Sequence, residues 1–116
     1  MHWCANTSCG AVGEGVGVLL RAAEPLAGLE LMRAARPAAK RDRDLCSGPG
    51  RLCQAFGIDR RLDGSDLVTA AAGMTIVDDG VPPPADPIVS PRIGIRHAAD
   101  APWRSHVPDH LHVSRR

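Results

Sequence analysis

The sequence offers almost no aromatic side chains, and this shortage limits the hydrophobic core that the chain is able to build. It contains one Phe, two Trp and no Tyr among 116 residues. Aromatic residues normally supply the largest units of buried area, so this core has to be assembled from Leu, Val, Ile, Ala and Met. A chain of this length buries a modest core within one domain. The shortage therefore favours an incomplete single domain over a self-sufficient one.

Charge and cysteine content narrow the functional classes. The formal net charge is +1, and Lys40 is the only Lys beside the many Arg residues. Arginine suits bidentate contacts with phosphate, although a plain codon bias explains the same composition. The four cysteines show no C-x-x-C spacing, and nothing resembles a set of four convergent zinc ligands. We therefore expect no metal and no cofactor.

The same residues indicate where the protein works. No signal peptide is recognisable at the start, and no apolar run approaches the roughly 20 residues of a membrane span. These features predict a cytoplasmic protein with reduced thiols and no membrane partner. Cys46 and Cys53 lie seven residues apart, which on one helix places both in the core.

The first half of the sequence predicts strands followed by helices. Residues 1–6 are strand-like, 7–15 form a hairpin loop, and 16–23 form a buried strand bounded by Gly and Pro25. Residues 28–36 form a short amphipathic helix that ends before Pro37. A second helix has Ser47 as N-cap, Pro49 in its first turn and Gly57 as its stop, with Leu52, Cys53 and Phe56 on one face.

The second half predicts short strands and loops. Residues 67–72 are a short helix or an irregular segment, and strands are expected at 74–77, 88–89, 92–95 and 101–105. This order predicts an α+β fold with a mainly antiparallel, curved sheet. We expect one domain over residues 1–106 and a flexible tail over 107–116.

Four collinear blocks give the sequence its clearest likeness. Residues 44–58 read DLCSGPGRLCQAFGI, and further blocks lie at 1–6, 18–25 and 91–95, followed by the pair Pro102–Trp103. Together they resemble the C-terminal portion of the methylpurine-DNA glycosylase family, over nearly the whole of residues 1–105. The resemblance implies a DNA glycosylase that flips an alkylated purine out of the duplex and hydrolyses its N-glycosidic bond in base-excision repair.

The resemblance also implies roles for single residues in the base pocket. Asn6 is similar to an asparagine that lines the pocket and disfavours guanine, and Arg21 to an arginine that helps to hold the attacking water and an adjacent phosphate. The backbone carbonyl of Ile93 takes the place of a second contact to that water. The structural alternative for Asn6 is a strand-end residue that bonds a turn. For Arg21 it is a buried cation paired with a carboxylate, and for Ile93 it is an ordinary core residue.

A second group of residues is expected at the DNA backbone. Ser47 and Gly48 open a helix whose free N–H groups suit a phosphate, Arg51 adds a charge, and Gly94 is assigned the same role. The alternative is an ordinary capped helix.

The family's catalytic Glu and its wedge Tyr lie upstream of the segment that matches Met1. We therefore expect Met1 to be an internal residue of a longer ancestor and the 116-residue chain to lack the general base and hence activity. The expected partner is double-stranded DNA with alkylated or deaminated purines, bound by a monomer in the cytoplasm with the chromosomal DNA. The alternatives are a DNA-binding remnant without catalysis and a non-functional fragment without a stable fold.

Overall fold

The computed structural model describes residues 1–114, and in this range two short helices and four short strands give the α+β fold that the sequence predicts. In chain order they are β1 (Asn6–Ser8), β2 (Gly17–Leu19), α1 (Leu29–Ala35), α2 (Pro49–Phe56), β3 (Ile88–Ser90) and β4 (Arg104–His106). Single 3₁₀ turns lie at Asp42–Asp44 and Arg60–Leu62. No helix among these elements is long and apolar enough to cross a bilayer.

The strands pair in two separate antiparallel ribbons. β1 pairs with β2, with Asn6 opposite Leu19, and β3 pairs with β4, with Ile88 opposite His106. The antiparallel pairing agrees with the prediction, but the described strands form two two-stranded sheets instead of one. A ribbon of two strands covers neither of its own faces, so its side chains depend on other elements for burial.

The predicted boundaries and burial of the first two strands were wrong. β1 begins at Asn6 and enters the segment predicted as a loop, while residues 1–5 are not strand. β2 spans three residues, and Val18 within it is 63% exposed, so the predicted buried strand is largely open to solvent. Strand sequence alone does not specify which face a neighbouring layer covers.

The two helices lie where the sequence places them. α1 ends two residues before Pro37 and buries Met32, and α2 has Pro49 in its first turn and a left-handed Gly57 (φ 67°) at its end. The N-cap of α2 is Gly48 and not the predicted Ser47, because a proline at the first helical position makes its predecessor the cap. Ser47 is instead buried.

Within residues 1–114 the core gathers around the loop between the helices and consists of Ala, Leu, Met and Cys side chains, without an aromatic residue. Its buried members are Ala5, Met32, Leu45, Cys46, Leu52, Cys53 and Ala55. Phe56 is 49% exposed, so Ala55 completes the buried face of α2 in its place. Both cysteines of the predicted pair are buried, although Cys46 precedes the helix instead of sharing it.

Arg36 links the end of α1 to α2 and to the loop before it by hydrogen bonds. It follows α1, and its Nη1 donates to the carbonyl oxygens of Asp44 and of Leu45, the latter at 2.7 Å. Its Nε donates to the side-chain oxygen of Gln54 in α2 at 3.3 Å. Leu45 is fully buried, so its carbonyl needs a partner inside the protein, which Arg36 supplies.

The second half of the chain contains fewer strands than predicted. No strand forms at residues 74–77 or 92–95, whereas β3 agrees with the prediction and β4 begins three residues after the predicted start of its segment. Gly94 takes a left-handed conformation (φ 75°), which interrupts an extended segment. Residues 67–72 form turns, with the Asp66 carboxylate accepting from the N–H groups of Val68 and Thr69.

The cysteines predict a clear split in thiol reactivity. Cys4 and Cys9 are exposed and Cys46 and Cys53 are buried, and burial raises the pKa of both buried thiols. Since the thiolate is the reactive form, a disulfide reagent at neutral pH is expected to modify two thiols rapidly in the native protein and all four in denaturant. Four equally fast thiols in the native protein would contradict the placement of the core.

Candidate functional site

A cavity of about 1000 Å³ lies between the segment that follows β2 and the segment around β4. We call it the main cavity. Its walls include Asn6, Arg21, Glu24, Arg92, Trp103 and His110. Ligand pockets in proteins commonly occupy about 300–1000 Å³, so the main cavity is large enough for a purine nucleotide.

The pairing of β1 with β2 brings Asn6 and Arg21 to the same wall. Asn6 lies opposite Leu19, and the N–H of Leu20 donates to the carbonyl of Ala5 at 2.9 Å, which continues the ladder beyond the strand. Arg21 follows the last residue of β2 by two positions, so it lies at the same end of the ribbon as Asn6. Asn6 is exposed and Arg21 is half-buried. Within residues 1–114 the Arg21 guanidinium makes no hydrogen bond or ion pair, so its donors are available to a ligand.

The motif blocks assigned the residues of the opposite wall no role in the base pocket, although Arg92 and Trp103 belong to those blocks. The guanidinium of Arg92 lies over the ring of Trp103 at 5.4 Å, and its Nη2 donates to the carbonyl of His97 at 3.3 Å. Arg104 is buried, and it donates to Ser90 Oγ at 3.2 Å and to the carbonyl of Ser114 at 3.0 Å. The motif blocks did not indicate that these residues meet, because the strand pairing of β3 with β4 is what brings them to the cavity.

The end of the described chain also reaches the main cavity. His110 Nε2 lies 3.5 Å from the Glu24 carboxylate, and the rings of His110 and His112 are 5.4 Å apart. The flexible tail expected over residues 107–116 and the domain boundary before it stay predictions, and the last two residues of that tail lie outside the described residues.

His106 is a half-buried base in the wall of this cavity, and both of its ring nitrogens are shielded from solvent. In the described part of the chain neither of its ring nitrogens has a hydrogen-bond partner, and burial, followed by the nearby charge of Arg104, lowers its pKa. The neutral imidazole is therefore the form that the folded state prefers.

This burial predicts a loss of stability in mild acid. An unfolded His takes up its proton near pH 6.5, and the folded pKa lies lower, so the unfolded state binds more protons as pH falls below about 6.5. The thermal midpoint is expected to fall from about pH 7.5 to about pH 5.5. His106→Gln is expected to reduce that difference, and an unchanged pH dependence in the variant would contradict the assignment.

The other residues predicted to contact the attacking water or the DNA backbone do not line the main cavity. Arg92 and Ile95 line it, but Ile93 and Gly94 between them do not. Ile93 is half-buried and Gly94 is exposed. The Ile93 segment therefore lies beside the main cavity, and Ile93 itself does not line it.

A second, smaller cleft of about 570 Å³ has Arg51 in its wall, with Ser47 and Gly48 next to it. We call it the basic cleft, since its walls include Arg36, Lys40, Arg41, Asp44 and Arg51. Arg51 Nη1 donates to Ser47 Oγ at 3.1 Å, one helical turn earlier. The described linings of the basic cleft and the main cavity have no residue in common.

The first turn of α2 is partly covered by another residue. A side chain on Gly50 would come within 2.9 Å of the Cβ of His2, so His2 packs closely against this turn. The close approach accounts for glycine at this position. It also leaves Arg51, which is exposed, as the most accessible group of the predicted phosphate site.

The donors in both places are suited to anions and polar ligands. Across residues 1–114 no three His, Cys, Asp or Glu side chains are placed to share a metal ion. The main cavity combines an amide, a guanidinium and an indole, which suit hydrogen bonding and stacking with a nucleobase. The basic cleft offers guanidinium and ammonium groups, which suit phosphate.

Comparisons with known proteins agree with the motif blocks. A family model described as methylpurine-DNA glycosylase matches residues 1–111. A relative from Burkholderia orbicola named "Putative 3-methyladenine DNA glycosylase" is 61% identical over 98% of this chain and 55% of its own length. Relatives of the same name from Nitrosospira multiformis and Mycobacterium leprae (strain TN) are 46% and 40% identical, over 90% and 98% of this chain and 51% and 52% of their own lengths. The chain thus spans about half the length of these curated relatives.

Proposed function

Because the chain belongs to the methylpurine-DNA glycosylase family, we propose that it supplies the base-pocket and water-binding side of a 3-methyladenine DNA glycosylase. The activity is hydrolysis of the N-glycosidic bond of alkylated purines in base-excision repair. The observation that carries the proposal is the meeting of Asn6 and Arg21 in the wall of one cavity. The partner is duplex DNA with alkylated or deaminated purines, bound by a monomer in the cytoplasm with the chromosomal DNA.

The chemistry assigns a task to each of these residues. The damaged nucleotide leaves the stack and its purine enters the main cavity, where the Asn6 amide crowds the exocyclic amine of guanine. A water oxygen attacks the anomeric carbon, the bond to the purine nitrogen breaks, and the purine leaves with the bonding electrons. Arg21, whose donors are not used by residues 1–114, holds the water and the adjacent phosphate. The Ile93 carbonyl is a second contact to the water, and Ser47, Gly48, Arg51 and Gly94 contact backbone phosphates.

The proton of the attacking water needs a base. Glu24 is the single carboxylate among the described lining residues of the main cavity, and its carboxylate lies 3.5 Å from His110 Nε2. The chain contains no Tyr to serve as a wedge or a pocket wall. We therefore propose that these 116 residues alone do not release the base.

The purified chain tests this division of tasks directly. Incubated with a duplex oligonucleotide containing hypoxanthine or a methylated purine, it is expected to give no abasic product above a blank. Release of base would contradict the proposal, and loss of that release in Glu24→Gln would then identify Glu24 as the base.

A chimaera tests the proposed activity itself. Here the chain replaces the matched 114 residues of the Burkholderia orbicola relative, which it resembles at 61% identity. The chimaera is expected to release alkylated purine from duplex DNA wherever its parent does. A folded chimaera that binds DNA but releases no base would favour the second candidate, a DNA-binding protein without catalysis, for which the basic cleft is the supporting observation.

A further inference from the structure

The basic cleft concentrates positive charge in a chain that is nearly neutral. Four cationic side chains, Arg36, Lys40, Arg41 and Arg51, line it against one carboxylate, Asp44. The whole chain carries a formal net charge of only +1. An excess of cations in a concave site focuses the positive potential there and attracts polyanions.

The internal contacts of these cations show which of them are available. Arg41 forms an ion pair with Asp44 (Nε–Oδ2 2.9 Å), and Arg36 is occupied by backbone carbonyls and Gln54. In the described part of the chain the Lys40 ammonium makes no hydrogen bond or ion pair, and it is exposed. Arg51 is exposed too and uses only Nη1, toward Ser47.

The cations also act on one another. Burial and, after it, the charge of Arg51 lower the pKa of Arg36 from its ordinary value, so the two guanidinium groups repel each other in the free protein. Asp44 offsets only part of this repulsion: its charge acts to raise the pKa of Arg36, but its carboxylate is engaged by a hydrogen bond from Arg41, which lowers its own pKa. A bound anion would relieve this repulsion.

We propose that the basic cleft binds a backbone phosphate of duplex DNA, with Lys40 and Arg51 as its ligands and Arg36 and Arg41 as a fixed positive wall. The inference rests on the proposed function for the identity of the anion as DNA. It adds Lys40, Arg36 and Arg41 to the predicted contact of Arg51, at a place whose lining is distinct from that of the main cavity. The contact is independent of sequence and of the lesion, as phosphate contacts are.

The experiment measures binding of the full 116-residue chain to an undamaged, fluorescein-labelled 20-base-pair duplex between 50 and 200 mM KCl. Lys40→Glu is compared with Arg60→Glu, which makes the same change of charge at an exposed cation that lies outside the basic cleft. Loss of one phosphate contact is expected to make the slope of log K against log[KCl] shallower by about 0.9. It is also expected to lower the affinity about tenfold. Arg60→Glu is expected to keep the slope of the unaltered chain.

Equal effects of the two substitutions, or no binding by the unaltered chain at 50 mM KCl, would overturn the inference. Thermal melts of both variants show whether each is folded, and Lys40→Gln replaces Lys40→Glu if the latter melts early. Competition with inorganic phosphate separates a site for a free anion from one for the DNA backbone: displacement of the duplex by low millimolar phosphate would also count against the proposal. Base release by the chimaera tests the proposed function separately, since it is measured at saturating enzyme.

Discussion

Replacing Arg21 with Ala in the chimaera is expected to slow single-turnover base release by about 100-fold, the usual cost of removing a donor that stabilises charge at a reacting centre. Arg21 has no partner within residues 1–114, so its donors are available to water and phosphate. It is also half-buried, where a charged hydrogen bond is stronger than in bulk water. Release of base from a hypoxanthine duplex at saturating enzyme measures the effect.

Two companion variants make this result specific. Arg21→Lys keeps the charge but loses the planar fork, so it is expected to recover part of the rate. Arg60→Ala removes an exposed cation outside the main cavity and is expected to leave the rate unchanged. An Arg21→Ala chimaera that melts normally and releases base at the parental rate would remove Arg21 from the site.

Leu45→Ala is expected to destabilise the 116-residue chain by about 3 kcal/mol, within the range for large-to-small changes in a core. Leu45 is fully buried, and its carbonyl is held by Arg36. The buried core comprises few residues, all of them aliphatic or cysteine. Since small domains have only about 5–15 kcal/mol of stability, the loss is a large fraction of the total. Urea unfolding followed by circular dichroism measures it.

The matched control is Leu26→Ala. Leu26 is 81% exposed, so its replacement is expected to change the free energy of unfolding by less than about 0.5 kcal/mol. Equal midpoints for the two variants would contradict the placement of the core. If the unaltered chain shows no cooperative transition at all, the interpretation as a fragment without a stable fold is favoured.

Local chemistry made the two helices predictable. Pro37 prevents α1 from continuing, Pro49 fits the first turn of α2, and Gly57 accepts the left-handed conformation that ends it. These effects act within one helical turn, so the local sequence around each of these residues is sufficient to predict where the helix begins or ends. The shift of the N-cap from Ser47 to Gly48 is an error of one residue in the same motif.

The strands and the opposite wall of the main cavity were less predictable because they depend on distant contacts. Val18 has a strand-forming side chain, but whether it is buried depends on what covers the ribbon. Trp103 and Arg92 meet only after β3 and β4 pair. Arg36 binds carbonyls eight and nine residues away, and no local pattern marks that bond.

Part of the candidate site was predictable from motif blocks. The resemblance assigned Asn6 and Arg21, and the β1–β2 register brings them to one wall. It also assigned Arg51 but gave no reason to include Lys40, because Lys40 lies in a connector without a motif and reaches the basic cleft through the turn after α1. The roles of all these residues stay predictions until variants are measured.

The single-turnover rate of base release by the unaltered chimaera tests the central claim most directly. The chain is proposed to supply a working base pocket and water site, so the chimaera is expected to release a methylated purine or hypoxanthine within about tenfold of the parental rate, a difference of about 1.4 kcal/mol in the barrier. A chimaera that folds and binds the duplex, yet gives no product above a blank where its parent does, would contradict the claim.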